Sequence, residues 1–265
     1  MEAKTMAPAT ENTGHNQADS VPSITLLGVK IHRVTMAQTL EAICGFIESG
    51  KPHMIVTADA SMIAMARKDA QLREIINSAD LVTPDGSGLL WGAKAMGTPL
   101  VERVSGVDIS RRICRMSGDM GFSIFFLGSE PGVAATAAEN LQKHFPDMLV
   151  AGTHHGYFKA DEDADVVRMV RKSGAGVLLA GMGIPRQEKW IKQHLADLGV
   201  SIAMGVGGSM DVFSGKVKRA PKWMQDHGLE WVYRLFQDPH KIRKVSILPK
   251  FVLMVVREKA LGNRH

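Results

Sequence analysis

One carboxylate, Asp85, stands in a turn whose residue types suit ligand chemistry. Residues 81–88 read LVTPDGSG, so an apolar strand end runs through Pro84 into the carboxylate and two glycines. Proline fixes its own φ and keeps the residue before it extended, and glycine allows a sharp turn and close approach of a ligand. Open α/β sheets bind ligands at such strand ends. Two interpretations stay open here: Asp85 binds a ligand, or it caps the helix that begins near Leu89.

Three further turns follow apolar strands and are rich in glycine. They contain Gly128, then Gly181 with Gly183, then Gly207 with Gly208. Each could present backbone N–H groups and a helix N-terminus to a phosphate, although a single such turn is more typical of plain structure. None completes the dinucleotide fingerprint, and no Gly-Lys-Ser/Thr occurs. Several glycine turns on one sheet edge favour an anionic ligand such as a nucleotide.

Polar side chains near these turns could bind such a ligand. Arg103, Arg186 and Gln187 lie in predicted loops or at a helix start. Arginine can hold a phosphate by two hydrogen bonds, and glutamine can bond a sugar hydroxyl; the alternative is that all three are solvated surface residues. The acids at 161, 163 and 165 have the spacing of metal ligands. Because they open a predicted helix, capping explains them, and no metal site is expected.

Strands and helices that alternate along the chain must position these residues. Apolar strands are predicted at 24–28, 53–57, 81–82, 123–127, 149–151, 177–180 and 202–204, with helical spacing after most of them. Strands that are apolar on both faces are typical of buried parallel sheets. The predicted fold class is α/β: a mainly parallel, Rossmann-like sheet with helices on both faces, plus a C-terminal helical appendage.

Composition divides the chain into three predicted segments. Residues 1–22 are polar and read as a disordered leader, 23–215 form the α/β domain, and 216–265 form a basic, aromatic-rich appendage. The appendage holds twelve basic and four acidic residues, whereas the whole chain has a net charge of +5. Such a tail suits nucleic acid or an anionic membrane, and its apolar run 251–256 favours lipid. The third interpretation is a solvated basic face with a few aromatic residues in the core.

Other features of the sequence limit the cellular compartments in which the protein is expected. The two cysteines, Cys44 and Cys114, are far apart and lack metal or redox spacing, so reduced thiols in a cytosol are expected. No apolar run approaches the roughly 18 residues that a membrane span needs. The N-terminus shows no basic region followed by an apolar one, so no signal peptide is predicted.

Many blocks of the chain, in order, resemble the WecG/TagA/CpsF glycosyltransferases, also called glycosyltransferase family 26. The resemblance covers roughly residues 24–257. The blocks are TAD at 57–59, ADLVTPDG at 79–86, ERVSGVD at 102–108, FLGS at 126–129, GMGIPRQE at 181–188, GVGG at 205–208, FSG at 213–215, RAP at 219–221, GLEW at 228–231 and RL at 234–235. So many ordered blocks make a more specific match than any single glycine motif.

The resemblance implies an inverting, metal-independent transfer that needs no cofactor. The donor would be a UDP-sugar of the N-acetylmannosamine type or a related hexose or uronic acid. The acceptor would be a polyprenyl-diphosphate-linked sugar in bacterial surface polysaccharide biosynthesis. Such an enzyme would be cytoplasmic and peripheral on the inner face of the cell membrane, with an anionic membrane surface and not nucleic acid as its partner. Whether it forms a homo-oligomer stays open.

The resemblance also assigns roles to residues of the α/β domain. Asp85 matches the family's general base, and Thr57 matches a threonine of the pocket beside it. Arg103 and Gln187 match residues that bind the diphosphate or the sugar. Each assignment rests on a residue of a quoted block.

The resemblance also covers one position in the appendage, and the chain departs from the family at one other position. Arg234 matches an arginine of the family's C-terminal appendage, which docks on the membrane and closes over the pocket. Asp59 stands where many members have asparagine. A second carboxylate there could alter sugar preference or the proton affinity of Asp85 if the two lie close together.

Two rival classes follow from the same residues. An NAD(P)-dependent oxidoreductase would need the complete dinucleotide fingerprint, which the chain lacks. A nucleotide- or nucleic-acid-binding module with a basic C-terminal arm would account for the tail without any catalysis.

Overall fold

Strands and helices alternate along most of the chain that the structure describes. The structure, a computed structural model, describes residues 21–227, 229–230, 232–233 and 247–262. The predicted leader lies outside these ranges except for its last two residues. The strands are β1 Ser23–Leu26, β2 Val29–His32, β3 His53–Ala58, β4 Leu81–Pro84, β5 Ile124–Gly128, β6 Val150–His154, β7 Val177–Gly181 and β8 Ile202–Gly205. The α-helices are α1 Met36–Ser49, α2 Ala60–Ala66, α3 Ala70–Asn77, α4 Ser87–Ala95, α5 Gly106–Met120, α6 Val133–His144, α7 Asp163–Lys172, α8 Arg186–His194, α9 Ser209–Phe213, α10 Lys222–Asp226 and α11 Ile247–Gly262.

Six strands form one parallel sheet in the order β4-β3-β8-β7-β5-β6. Its register aligns the strand ends: Ala58 pairs with Pro84, and Gly128 pairs with Gly181. Because parallel strands end at the same edge, the turns that follow them meet there. This arrangement confirms the predicted α/β fold class.

Helices cover both faces of the sheet, and each face has its own apolar core. One core joins α2, α3, α4, α7, α8 and α11 to one set of strand side chains, such as those of Met54 and Val56. The other joins α1, α5, α6 and α9 to the alternate set, such as that of Ile55. Side chains alternate between the faces of a strand, so a run of apolar residues supplies both cores.

The N-terminal strand differs from its prediction. Residues 24–28 were expected as one strand, but β1 ends at Leu26 and pairs antiparallel with β2. Leu27 and Gly28 both have positive φ, 52° and 84°, which closes a two-residue hairpin. The expectation was wrong because Leu-Gly is a weaker turn signal than Asn-Gly or Asp-Gly.

The last described helix, α11, packs on the α/β domain through α2 and α4. Phe251 and Val255 are fully buried in this contact. The interpretation of the whole run 251–256 as lipid-facing is therefore wrong for these two residues, which are core residues at helical spacing. The division at residue 215 stays a prediction.

Candidate active site

Asp85 lies at the carboxyl edge of the sheet, between two elements. Its backbone N–H donates to the Ala58 carbonyl at the end of β3 over 2.7 Å. Its Oδ2 accepts from the backbone N–H of Gly106, the first residue of α5, at 3.0 Å. Helix α4 begins after Gly86, which provides no side-chain cap. The carboxylate therefore binds the N-terminus of α5, a helix that begins 21 positions further along the chain.

Thr57 packs against the same helix start. Its Oγ1 donates to the Gly205 carbonyl of β8 at 3.1 Å. A Cβ added to Gly106 would lie 3.1 Å from this Oγ1 and 3.2 Å from the Thr57 Cγ2. The glycine thus lets α5 approach β3 closely, which brings Thr57 and Asp85 to one point of the sheet edge.

Asp59 stands beside the Asp85 turn, as a Cβ added to Gly86 would lie 3.9 Å from the Asp59 Cβ. The Asp59 Oδ1 accepts from the Met62 N–H at 2.7 Å and from the Ser61 hydroxyl at 2.6 Å, so this side chain caps α2. An asparagine could make both of these bonds. The local structure therefore accepts either residue, and the aspartate adds a carboxylate to the edge.

Two arginine–carboxylate pairs join the beginning of α5 to the appendage. Arg103 Nη1 lies 3.0 Å from Glu230 Oε2, and both side chains are largely buried. Arg219 binds both carboxylate oxygens of Asp108, at 2.6 and 2.7 Å. Burial alone would raise the pKa of the Asp108 carboxyl, but the hydrogen bond and charge of Arg219, with Arg103 and Arg112 nearby, lower it below its ordinary value. Each pair is neutral overall, and each fixes the position of one guanidinium near the beginning of α5.

The neighbouring carboxylates change the pKa of Arg219 as well. Its hydrogen bond to Asp108 raises the pKa of its guanidinium, and the charges of Glu230 and Asp85 act in the same direction. Asp85 therefore lies within electrostatic reach of Arg219. Arg219 and Glu230 were not predicted as site residues, although both stand in blocks that carried the resemblance.

The glycine turns pack backbone against backbone. A Cβ on Gly128 would lie 2.4 Å from the Gly181 carbonyl oxygen, and one on Gly181 would lie 2.7 Å from that of Gly207. The Ser129 N–H donates to the Gly181 carbonyl at 2.9 Å. The ends of β5, β7 and β8 can approach this closely only because they lack side chains. Of the predicted glycines, Gly208 is exposed and has no such restriction.

Gln187 is buried beneath two of these turns. Its Oε1 accepts from the N–H groups of Gly183 at 3.1 Å and Gly207 at 3.2 Å. Its Nε2 donates to the Oε1 of the adjacent Glu188 at 2.7 Å. Burial raises the pKa of the Glu188 carboxyl from 4.5 to about 7, against the lowering effect of the Gln187 hydrogen bond. The charge of Asp59 contributes to the rise.

Residues 24–265 match the model of the Glycosyl transferase WecG/TagA/CpsF family. The chain belongs to this family. A relative from Bacillus spizizenii (strain ATCC 23059 / NRRL B-14472 / W23) is 32% identical over 221 residues, which are 83% of this chain and 85% of the relative. A relative from Staphylococcus aureus (strain MW2) is 30% identical over 245 residues, 92% of this chain and 96% of the relative. Both are named N-acetylglucosaminyldiphosphoundecaprenol N-acetyl-beta-D-mannosaminyltransferase.

Membership of the WecG/TagA/CpsF family confirms the family and the enzyme class predicted from the sequence. The protein is a glycosyl transferase. Neither the oxidoreductase nor the non-enzymatic binding module describes such a chain. The family match extends through α11, so the last described helix belongs to the family's common part.

Among the predicted site residues of this glycosyl transferase, the structure gathers Asp85, Thr57, Asp59 and the glycine turns at one edge. Arg186 is occupied elsewhere: its guanidinium donates to the Gly156 and Phe158 carbonyls, both at 2.7 Å, and lies over the Phe158 ring. Arg234 lies outside the described residues. Glu188 was not predicted as a site residue, although it stands in the block at 181–188, because its charged side chain gives no sign of burial in the sequence.

The described residues form neither a metal site nor a membrane span. Within the ranges that the structure covers, no group of three or more His, Cys, Asp or Glu side chains could hold a metal ion. Asp163 instead accepts from the Trp190 indole N–H at 3.3 Å, and Asp165 pairs with Arg168 at 2.9 Å. Over the same ranges, no helix is both long and apolar enough to span a bilayer.

Proposed function

We propose that this family member transfers an N-acetylmannosamine-type sugar from a UDP-sugar to a polyprenyl-diphosphate-linked N-acetylglucosamine, with inversion and without a metal ion. The observation that carries the proposal is the position of Asp85 at the sheet edge, beside the N-terminus of α5 and within reach of Arg219. The names of the relatives specify an N-acetylglucosaminyl-diphosphate lipid and an N-acetylmannosaminyl group. A surface polysaccharide precursor is the corresponding product class.

In this mechanism Asp85 is the general base. Its carboxylate takes the proton from the acceptor hydroxyl as that oxygen attacks the anomeric carbon of the donor. The new carbon–oxygen bond forms on the face opposite the bond to the diphosphate, which breaks and leaves its electron pair on UDP. One base and one displacement account for inversion. Thr57, packed against the same helix start, limits the space around the reacting atoms.

The departing diphosphate needs positive charge, which the protein can supply from side chains and helix N-termini. Arg103 stands at the start of the segment that leads into α5, where it is paired with Glu230. We propose that the diphosphate competes with Glu230 for this guanidinium. The N–H groups of Ser129, Gly183 and Gly207 already donate within the protein, so other backbone N–H groups of these glycine turns would bind further phosphate oxygens.

A lipid-linked acceptor requires the enzyme to lie at the membrane surface. The outer side of α11 presents Val252, Leu253 and Val256, which are 41%, 57% and 53% exposed. Lys250, Arg257 and Lys259 flank them and are exposed. Apolar residues between basic ones suit a helix that lies on an anionic bilayer. We propose peripheral attachment through this face, on the cytoplasmic side of the cell membrane.

A transfer assay with an isosteric variant tests the chemistry. UDP release is measured with UDP-N-acetylmannosamine and other UDP-sugars, together with a short-chain polyprenyl-diphosphate-linked N-acetylglucosamine. Asp85→Asn keeps an acceptor oxygen for the Gly106 N–H but cannot take a proton, so transfer should fall by about 10²–10⁴-fold. Binding of UDP should stay unchanged, because the fold and the glycine turns are intact.

Asp59→Asn is the matched control, since it removes the other carboxylate of the same edge and preserves the cap of α2. It should retain transfer. Equal transfer by Asp85→Asn and the unmodified protein would remove Asp85 from the role of base. Absence of UDP release with every UDP-sugar would contradict the proposed donor class.

A further inference from the structure

Glu188 is a charged residue type in the interior of the candidate site. Its side chain is 1% exposed and that of Gln187 is 2% exposed, and both belong to the first turn of α8. The Glu188 Oε2 is buried and has no hydrogen-bond partner among the described residues. A buried carboxyl carries a large desolvation cost, so a purely structural position would favour an apolar residue. Its position calls for a specific role.

The hydrogen bonds of Glu188 define the orientation of the neighbouring amide. A glutamine amide has an oxygen that accepts and a nitrogen that donates, and either can occupy either place after a flip. Glu188 offers an acceptor oxygen 2.7 Å from Gln187 Nε2, which holds the nitrogen on that side. The oxygen is therefore directed at the N–H groups of Gly183 and Gly207.

Gln187 thus connects two turns that follow different strands. Gly183 belongs to the turn after β7, and Gly207 to the turn after β8. Both glycines have positive φ, 80° and 52°, so each turn has an unusual backbone that its hydrogen bonds help to define. With the amide flipped, the Nε2 group would face both glycine N–H groups, and neither turn would keep its acceptor.

We infer that Glu188 is a positioning residue: by accepting from Gln187 it orients the amide that holds the two glycine turns in the form that binds the donor diphosphate. The effect on donor binding rests on the proposed function, whereas the effect on the turns does not. Glu188 contacts no substrate in this scheme. Its influence passes through Gln187 alone.

The surroundings leave little alternative space for this pair. A Cβ on Gly205 would lie 2.6 Å from Gln187 Nε2 and 3.0 Å from Glu188 Oε1. The glycine at the end of β8 is therefore part of the same arrangement. The raised pKa of Glu188, about 7, agrees with a carboxyl that accepts through one oxygen and holds a proton on the other.

Two substitutions separate the acceptor oxygen of Glu188 from its ability to ionise. Glu188→Gln keeps the length and an acceptor oxygen but cannot ionise. Glu188→Asp keeps a carboxyl that can ionise but is shorter by one methylene, which withdraws the acceptor from Nε2. Both substitutions are small, so both variants should fold. The proposal expects Glu188→Gln to behave like the unmodified protein and Glu188→Asp to differ from it.

Amide hydrogen exchange of the full chain, resolved by NMR, reports on the turns without any ligand. In Glu188→Asp the amides of Gly183 and Gly207 should exchange about tenfold faster, because they lose an ordered acceptor. Amides of β5 serve as the reference for global opening and should not change. Gln187→Met should produce the same acceleration, and adding Glu188→Asp to it should cause no further change at these two glycines.

Donor kinetics supply the functional readout. In the UDP-release assay Glu188→Asp should raise the KM for the UDP-sugar by about tenfold and change kcat little, since the turns contact the donor and Asp85 is unaffected. Titration calorimetry with UDP should show the same weakening. Glu188→Gln should match the unmodified protein in both measurements.

Two results would overturn the positioning role. One is normal exchange at both glycines in Glu188→Asp. The other is acceleration in Glu188→Gln as large as in Glu188→Asp, which would show that an acceptor oxygen at position 188 is not what holds the turns. If the unmodified protein failed to bind UDP, the proposed function would fall, and hydrogen exchange would still decide the role of Glu188.

Discussion

At the scale of single residues, the site depends on partners that are remote in sequence. The Asp85 carboxylate accepts from an N–H that lies 21 positions further along the chain. Gln187 Oε1 joins its own turn to Gly207, which is 20 positions away. Such hydrogen bonds form only when the separation of the two backbone segments is right to within a few tenths of an ångström. Glycines at the strand ends allow the segments to come this close because they have no side chain.

Gly205 should therefore tolerate no side chain. In Gly205→Ala the new Cβ would lie 2.6 Å from the buried Gln187 Nε2, so the Gln187–Glu188 pair must move. Overpacking of this kind costs about 1–3 kcal/mol of unfolding free energy, which urea denaturation can measure.

Gly208→Ala is the matched control in the same turn. Its nearest neighbour would be an Asp211 carboxylate oxygen 3.7 Å away, at ordinary contact distance, and its φ is −83°. This variant should stay within about 0.5 kcal/mol of the unmodified protein. Equal effects of the two alanines would show that the predicted crowding at Gly205 is absent.

The buried carboxyl of Glu188 should make stability depend on pH. Its pKa in the folded protein is about 7, above the ordinary 4.5, so the folded state holds the proton more tightly than the unfolded state does. The protonated Glu188 carboxyl therefore makes its full contribution to the free energy of unfolding below pH 4.5. This contribution declines as pH rises to about 7 and does not change further above that.

Glu188→Gln cannot ionise and removes this decline. Relative to the unmodified protein, the free energy of unfolding of Glu188→Gln should therefore increase by up to about 3 kcal/mol between about pH 4.5 and pH 8. Urea denaturation at several pH values measures the difference. A difference between the two proteins that stays constant with pH would contradict a raised pKa at Glu188.

At the scale of elements, α5 and α11 attach distant parts of the chain to the sheet edge. Helix α5 is joined to the appendage by the Asp108–Arg219 pair and packs its first residue on Thr57. Helix α11 inserts Phe251 and Val255 between α2 and α4. The apolar inner face of α11 therefore holds it on the domain, which leaves its outer face for another contact.

Close packing at Gly92 of α4 allows this insertion. A Cβ there would lie 2.7 Å from Phe251 Cζ and 3.4 Å from Val255 Cγ2. Alanine is the better helix former, so Gly92→Ala would stabilise an isolated helix. In the protein the clash should dominate and cost about 1–3 kcal/mol, with faster proteolysis at α11.

Phe251→Leu in the same chain tests the cause. The shorter side chain leaves room for the alanine. The double variant should therefore lose less unfolding free energy than the sum of the losses in Gly92→Ala and Phe251→Leu. Additive effects in urea denaturation would mean that the two residues do not contact each other.

At the scale of the whole molecule, charge and apolar surface are distributed unequally. The appendage carries twelve basic residues against four acidic ones, and the carboxyl edge of the sheet carries the carboxylates Asp59, Asp85 and Glu188. The exposed apolar face of α11 belongs to the basic part. The exposed basic residues of α11 beside this apolar face suit contact with an anionic surface.

Charged substitutions on the outer face of α11 should reduce membrane binding and leave the fold intact. Val252 and Val256 are exposed and stand one turn apart, so Val252→Glu with Val256→Glu adds negative charge without opening the core. Co-sedimentation with vesicles of phosphatidylglycerol and phosphatidylcholine should weaken by at least about tenfold. Met169→Glu on α7, at 43% exposure, is the control and should bind normally.

The dependence of vesicle binding on salt concentration is a second measurement. Binding of the unmodified protein should decline as ionic strength rises, because basic residues contribute to it. Undiminished vesicle binding by the Val252→Glu, Val256→Glu variant would mean that the protein meets the membrane through a different surface, and transfer to the lipid-linked acceptor would have to be explained from there.

The sequence by itself determined the α/β class and the edge at which the site forms. Apolar strands alternating with helices permit a parallel sheet, and parallel strands end on one side, so Thr57, Asp85, Gly128 and Gly181 had to meet there. Helix caps and the N-terminal hairpin were harder to predict from the sequence. The β1–β2 hairpin was missed because its turn lacks the usual residues.

Only the tertiary structure decided which groups are partners. Arg103 pairs with Glu230, 127 positions away, and Asp85 accepts from the first residue of α5, because of the way the helices pack on the sheet. The same packing buries Glu188 beside Gln187 and turns Phe251 and Val255 of the run 251–256 inward. Local sequence patterns do not contain these facts, because each depends on which distant surface comes to lie against a residue.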